Sequence, residues 1–169
     1  MFAVSLDDAL VEVLPGAVTS LFTPQDLAEL VVLQRCCWVS EAIMNNTLDV
    51  PALHETHDEV LAWAQSWTTL VVRQGGRLVA AARGRMEGEQ DWQIGRLMVA
   101  PDLAGNGIGS ALLALIEAQA PTLVRRFVLF TGGASQRNIR TYQRAGYQLT
   151  QAPHVPGHIA GAVFMTKPR

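Results

Sequence analysis

The stretch WQIGRLMVAPDLAGNGIGSALLALIEAQA, Trp92 to Ala120, decides the fold. Ile94, Leu97 and Val99 are strand-type apolar residues. Pro101 cannot donate to a sheet ladder and ends the run. Gly105, Gly107 and Gly109 follow, and Ile108, Leu112, Leu115 and Ile116 then recur at helical spacing. The reading is strand, glycine loop, helix. Glycine allows positive φ and a close approach of backbone to ligand. A helix that opens on such a loop offers unpaired N–H groups and the positive end of its dipole. The centre of the chain therefore reads as a cradle for phosphate.

Several kinds of loop share this outline. A dinucleotide-binding loop needs G-x-G-x-x-G and an acid at the end of the next strand. Here the spacing is G-x-G-x-G, and the next strand ends at Phe130 and Thr131 without an acid. A P-loop needs G-K-[ST], and no lysine follows these glycines. A plain turn between strand and helix would need none of the glycines for a ligand.

GRLMVAPDLAGNGIGSALL resembles the acyl-CoA-binding motif of the GNAT superfamily, the GCN5-related N-acetyltransferases. That motif, [QR]-x-x-G-x-[GA], falls on Ala104, Gly105, Asn106, Gly107, Ile108 and Gly109, with Ala104 where the family has Gln or Arg. A second block, FVLFTGGASQRNIRTYQRAGYQ from Phe127 to Gln148, resembles the other half of the same cofactor site. Its Tyr-x-x-x-Gly-aromatic signature is Tyr142, Gly146 and Tyr147. The two blocks stand in the family's order and at about its spacing.

The resemblance implies an α/β (α+β) fold in one domain over residues 1–169. Its mixed, mostly antiparallel sheet would have six to seven strands and about four flanking helices. Two parallel strands would splay apart around the acyl-CoA site. It implies that Leu97, Met98 and Val99 offer backbone groups to the pantetheine arm and to the thioester carbonyl. It implies that Ala104, Gly105, Asn106, Gly107, Ile108, Gly109 and Ser110 hold the pyrophosphate, and that Asn138 bonds the pantetheine. Arg137, Arg140 and Arg144 stand near enough in sequence to serve the phosphates. The implied reaction is direct transfer of an acetyl or longer acyl group from acetyl-CoA to a primary amine, without a metal. Tyr142 matches the family's general acid. The base stays open between Asp91, Glu87, Glu41 and Glu55, because the central strand carries Gln93 and no internal acid. From Cys36 to Val72 there are five acids and no Lys or Arg, so Glu41, Asp49 and Glu55 are also candidate partners for an ammonium group. A GNAT-fold module that binds acyl-CoA without turnover is the alternative. Dimers are common in the family, and a homodimer stays open.

Composition sets outer bounds. The chain has 169 residues, 49% hydrophobic and 17% charged, which fits one globular domain rather than a disordered chain. No apolar run is long enough to span a bilayer. Asp7 and Asp8 stand where a signal peptide would be basic. Cys36 and Cys37 are sequence neighbours, which rarely bridge, and point to reduced thiols in the cytoplasm. Residues 1–72 hold ten acids and one base, and residues 73–169 hold five acids and twelve bases. The basic half contains the phosphate loop and suits a polyanion. Its arginines are scattered without a patch interleaved with aromatics, which disfavours nucleic acid.

In chain order, Val11 to Leu21 contains the first strand. Thr23-Pro24-Gln25-Asp26 starts a helix running to about Ser40. Glu41 to Thr56 reads as loop or short turns, and Thr56 to Glu59 as a capping box opening the next helix. Leu70–Gln74 and Arg77–Met86 form a hairpin about Gly75-Gly76. The central strand runs from Asp91 to Val99. Arg126–Phe130 is a short buried strand, Ser135 an N-cap, and Gly146 a C-terminal cap. Tyr147–Gln151 and Ala160–Thr166 are the last strands, with a loop at Pro153–Gly157. His54, Glu55, His57 and Asp58 read as cap and surface residues rather than metal ligands. His154 and His158 are separated by Pro156 and Gly157, so they share no helical face, although they could line the acceptor side of a cleft.

Overall fold

The computed structural model describes residues 6–152 and 161–169. In chain order its elements are α1 (Leu6–Val13), β1 (Val18–Leu21), α2 (Leu27–Met44), α3 (Pro51–His54), α4 (His57–Ser66), β2 (Thr68–Gln74), β3 (Arg77–Glu87), β4 (Asp91–Val99), α5 (Ile108–Ala118), β5 (Arg126–Gly132), α6 (Gln136–Arg144), β6 (Gln148–Thr150) and β7 (Ala162–Pro168). The expected Pro153–Gly157 loop, the start of the last strand, His154 and His158 lie outside the described residues.

Gly75 and Gly76, both at positive φ, turn the β2–β3 hairpin as their sequence predicts. The strands form one sheet in the order β1-β2-β3-β4-β5-β7-β6. Every neighbouring pair is antiparallel except β4 and β5. That parallel pair requires a crossover, and α5 supplies it.

Alternation along β3 sends Arg83 and Gly84 to opposite faces. On the Gly84 face the Trp92 ring lies where a side chain would stand, since a Cβ at 84 would fall 2.4 Å from the indole nitrogen. That nitrogen donates to the Ile116 carbonyl at 3.2 Å and so ties α5 to the sheet. Leu112, Leu113 and Ile116 of α5 are fully buried there, and α1 packs on α5 with Leu10 and Leu14. The Arg83 face is covered by α2 and α4, whose Leu30, Val31 and Val60 are buried.

Two helices differ from the sequence reading. α1 precedes the first strand, where only a strand was expected, although Leu6, Ala9, Leu10 and Val13 recur there at helical spacing over a segment of two turns. α2 runs four residues past Ser40, to Met44, and so carries Glu41 on a helix rather than in a loop. Asn45 ends it, its side-chain amide donating to the Glu41 carbonyl at 2.8 Å. The capping box at Thr56 and Glu59 forms as expected. Gly146 takes φ +96° after α6, which is the conformation a C-terminal cap requires.

Asp26 is a buried carboxylate that joins the entry of α2 to the sheet. It accepts from the Thr23 N–H at 2.9 Å and hydroxyl at 3.0 Å, and from Arg73 at 2.7 Å. Burial opposes its ionisation, yet these hydrogen bonds together hold its carboxyl below the ordinary 3.8. A carboxyl lowered on folding contributes stability that is complete above its unfolded value and lost as pH falls through the folded one. Asp26→Ala should therefore cost about 2 kcal/mol at pH 7 and less below about pH 4. Thermal melts of both proteins at pH 7 and pH 3 check this, and a gap that does not narrow in acid contradicts it.

Candidate active site

The cleft begins where β4 and β5 stop pairing. Their parallel register runs from Asp91↔Arg126 to Ile94↔Leu129 and goes no further, although both strands continue. β4 also bulges: two steps of β3, from Ala81 to Arg83, face three steps of β4, from Met98 back to Gly95. Arg96, inside the bulge, has φ +49°, a left-handed conformation that costs a side-chain-bearing residue energy. The splay opens a cavity of about 1220 Å³ between the β4 edge, the glycine loop, α2 and α6.

On the β4 wall, Leu97 and Val99 line the cavity. The Ala100 N–H donates to Val79 of β3 at 2.8 Å, so alternation turns the Val99 backbone groups the other way, toward the cleft. The Val99 carbonyl already accepts the Cys37 thiol at 3.2 Å, which leaves its N–H for a ligand. Burial pushes that thiol up to about 12, so Cys37 is a neutral donor and not a nucleophile. Met98 does not line the cavity; its side chain is in the core.

The glycine loop forms the second wall. Gly105 and Gly107 adopt φ +90° and +82°, and Gly107 is the N-cap of α5. Among the described residues no side chain caps that helix. The first intrahelical bond is the Ala111 N–H to the Gly107 carbonyl, so the N–H groups of Ile108, Gly109 and Ser110 have no helical partner. All three residues line the cavity, as do Ala104, Gly105 and Gly107. Asn106 does not; its side chain bonds the Leu103 carbonyl at 3.1 Å and shapes the loop from outside. Ala104 provides no side-chain donor, but Arg137 of α6 reaches the loop, its guanidinium 3.5 Å from where a Gly105 Cβ would be. Arg140 and Arg144 line the same cavity.

The third wall joins α2 to α6. Glu41 accepts the Ser135 hydroxyl on one oxygen and the Asn138 amide, at 3.0 Å, on the other. Ser135 thus occupies the N-cap position of α6, as its sequence suggests, but spends its hydroxyl on Glu41 instead of on the helix. Tyr142 lies one turn after Asn138 and lines the cavity with it. Burial, with the nearby Glu41 charge, pushes the Tyr142 hydroxyl up to about 12, so it carries its proton throughout the neutral range. Among the described residues that hydroxyl has no hydrogen-bond partner. Tyr147 is different: it is buried, and its hydroxyl donates at 2.7 Å to Glu117, which also pairs with Lys167. It joins α5 to β7 and takes no part in the cleft.

The structure does not bring every candidate base to this place. Asp91 stands four residues before Gly95, about 13 Å along the strand, and pairs with Arg126 through both carboxylate oxygens. It lies outside the cavity, and so does Glu55. Glu55 accepts from Arg96 at 2.6 Å, Gln34 at 2.8 Å and the Trp63 indole at 3.2 Å, so both of its oxygens are spent on holding the bulge of β4. Glu87 pairs with Arg85 at 3.4 Å, also away from the cavity. Glu41 and Asp49 are the considered acids that line it. Trp38 and Arg96 line it too, and no local sequence pattern marked either. Among the described residues no group of His, Cys, Asp and Glu could hold a metal, and no helix is long and apolar enough to cross a membrane.

No curated protein sequence matches the chain. Solved structures do match its fold. An acetyltransferase from Streptococcus agalactiae aligns with TM-score 0.74 at 17% identity, over 92% of this chain and 99% of that one. A ribosomal-protein-alanine N-acetyltransferase from Brucella melitensis aligns with TM-score 0.68 at 20% identity, over 90% and 99%. A phosphinothricin acetyltransferase of the GNAT superfamily from Sinorhizobium meliloti, solved with acetyl-CoA, aligns with TM-score 0.66 at 18% identity, over 90% and 88%. The model of the Acetyltransferase (GNAT) family matches residues 28–147, which include both the splayed strands and the glycine loop. The chain belongs to the GNAT acetyltransferase family.

Proposed function

We propose that this protein transfers an acetyl group from acetyl-CoA to a primary amine, with Tyr142 as general acid. One observation carries the reading: a protonated, unpartnered Tyr142 hydroxyl shares a cavity with the free N–H groups that open α5. The residues present fit the cofactor. The α5 N-terminus and Arg137 offer donors and positive charge to a pyrophosphate, and the free β4 edge offers amide pairing to a pantetheine arm. Acetyl-CoA, when bound, supplies the activated acetyl thioester.

The protein's own groups then have two protons to manage. An alkyl amine has a pKa of about 10.4, so it must lose a proton before it can attack. Glu41 is placed to receive it, directly or through water, because among the described residues each of its oxygens accepts one bond. The nitrogen–carbon bond forms, the carbon–sulfur bond breaks, the departing sulfur takes the Tyr142 proton, and the second proton shed by the new amide nitrogen returns through water to the tyrosinate. The Val99 N–H is the donor for the developing charge on the carbonyl oxygen. Asn138 and Ser135 hold Glu41 in place. The free thiols Cys36 and Cys37 accord with a cytoplasmic protein.

The test is CoA release from acetyl-CoA across a panel of amines, amino acids, aminoglycosides, polyamines and lysine peptides. Release above the amine-free rate with at least one class is the expected result. Tight acetyl-CoA binding with no release across the panel would favour a binding module instead.

A further inference from the structure

Three of the four tryptophans and three arginines stand in one column on the α2–α4 face of the sheet. Arg85 lies 4.2 Å from the centre of the Trp67 ring, and Arg83 lies between Trp67 at 4.0 Å and Trp63 at 4.4 Å. Trp63 donates its indole N–H to Glu55 at 3.2 Å. Arg96 pairs with the other Glu55 oxygen at 2.6 Å and lies 5.0 Å from the centre of the Trp38 ring. Arg85 is exposed at one end, and Arg96 and Trp38 line the cleft at the other.

The charge of this column does not balance. Arg83 and Arg96 are both largely buried, and among the described residues Glu55 is the one carboxylate between them. The Arg83 side chain forms no hydrogen bond or ion pair among the described residues, and its buried Nε has no partner. Its guanidinium is pushed down to about 9 by burial and by Arg96. Among the described residues one other buried side-chain polar atom lacks a partner, Gln34 Oε1. It belongs to the amide that holds Glu55 at 2.8 Å. Arg96 has several N–H donors and spends one nitrogen on Glu55. A buried cation is retained at a cost unless something pairs with it.

We infer that the cleft end of this column is the acceptor subsite and that it recognises a carboxylate carried by the amine substrate. The inference rests on the transferase reading above. The planar fork of arginine matches a carboxylate in two parallel bonds, and the aromatic faces keep Arg83 and Arg96 in fixed orientation. Trp38 and Glu41 are three residues apart on α2, so the aromatic partner of Arg96 and the acid that takes the amine proton are neighbours on one helix face. An α-amino acid, with amine and carboxylate a few bonds apart, spans such a pair. A polyamine or aminoglycoside would bring more positive charge to an already cationic wall.

The experiment compares free amino acids with their α-carboxamides and with the corresponding decarboxylated amines, using acetyl-CoA and the full chain. The expected result is a kcat/KM at least about tenfold higher for an acid than for its amide and its decarboxylated amine, which is the scale of one hydrogen-bonded charge pair. Arg96→Gln should reduce that ratio about tenfold through KM, and Arg96→Lys should recover part of it. Equal use of acids and amides by the unaltered protein would overturn the inference, whatever the variants do. If neither set is acetylated while acetyl-CoA still raises the melting temperature, the carboxylate reading falls and the transferase reading passes to other amines. If acetyl-CoA does not bind, the transferase reading itself fails.

Discussion

Tyr142→Phe should lower kcat about 100-fold or more while acetyl-CoA binds as before. The ring stays: it packs edge-on against Tyr147 with centroids 6.0 Å apart, and phenylalanine preserves that contact. The hydroxyl leaves no orphan behind, because among the described residues nothing bonds it. The loss is therefore chemical rather than structural. The hydroxyl value of about 12 adds a sign: this acid remains protonated, so it sets no alkaline decline of kcat below about pH 10. Steady-state rates from pH 6 to pH 10, with acetyl-CoA affinity measured by calorimetry, check both statements. A variant that turns over normally would remove Tyr142 from the acid role.

The second large effect is on stability. Glu55→Ala should cost about 3 kcal/mol, because it leaves Arg96 largely buried without its carboxylate. For a domain of this size that is a fall in melting temperature of about 6–12 °C. The loss also releases two further donors, from Gln34 and Trp63, and unties an arginine held at φ +49°. A general base would behave otherwise: its removal would leave the melting temperature alone and abolish turnover. Thermal denaturation of Glu55→Ala and Glu55→Gln separates the two roles. Glu55→Gln should be intermediate, since its amide oxygen still accepts hydrogen bonds while the charge is lost. An unchanged melting temperature for both would contradict the structural role given to Glu55.

What was legible in the sequence was local. The strand from Asp91 to Val99, the turn of three glycines and the helix from Ile108 appear at the positions their periodicity predicts, because each is specified by neighbours in the chain. Tyr142 and Gly146 are likewise within one helix and its cap. Which of the candidate acids faces the cleft was not legible. Glu41 meets Ser135 and Asn138 across 94 and 97 residues, and Glu55 meets Arg96 across 41. Periodicity says nothing about such pairings. Asp91 and Glu55 sit suitably close to the central strand in sequence or charge pattern, yet each has an arginine that neutralises it. The vacancy at Ala104 reads as a departure until folding brings Arg137 to the same loop.

The most direct test of the central claim, that acetyl-CoA lies in the splay between β4 and β5 with its pyrophosphate on α5, is amide chemical-shift mapping. The protein, labelled with nitrogen-15, is titrated with acetyl-CoA. The largest shifts should fall on Leu97, Val99 and Gly105 to Ser110, with the Arg137 side chain responding alongside them. Shifts confined to other surfaces, or none at saturating acetyl-CoA, would contradict it.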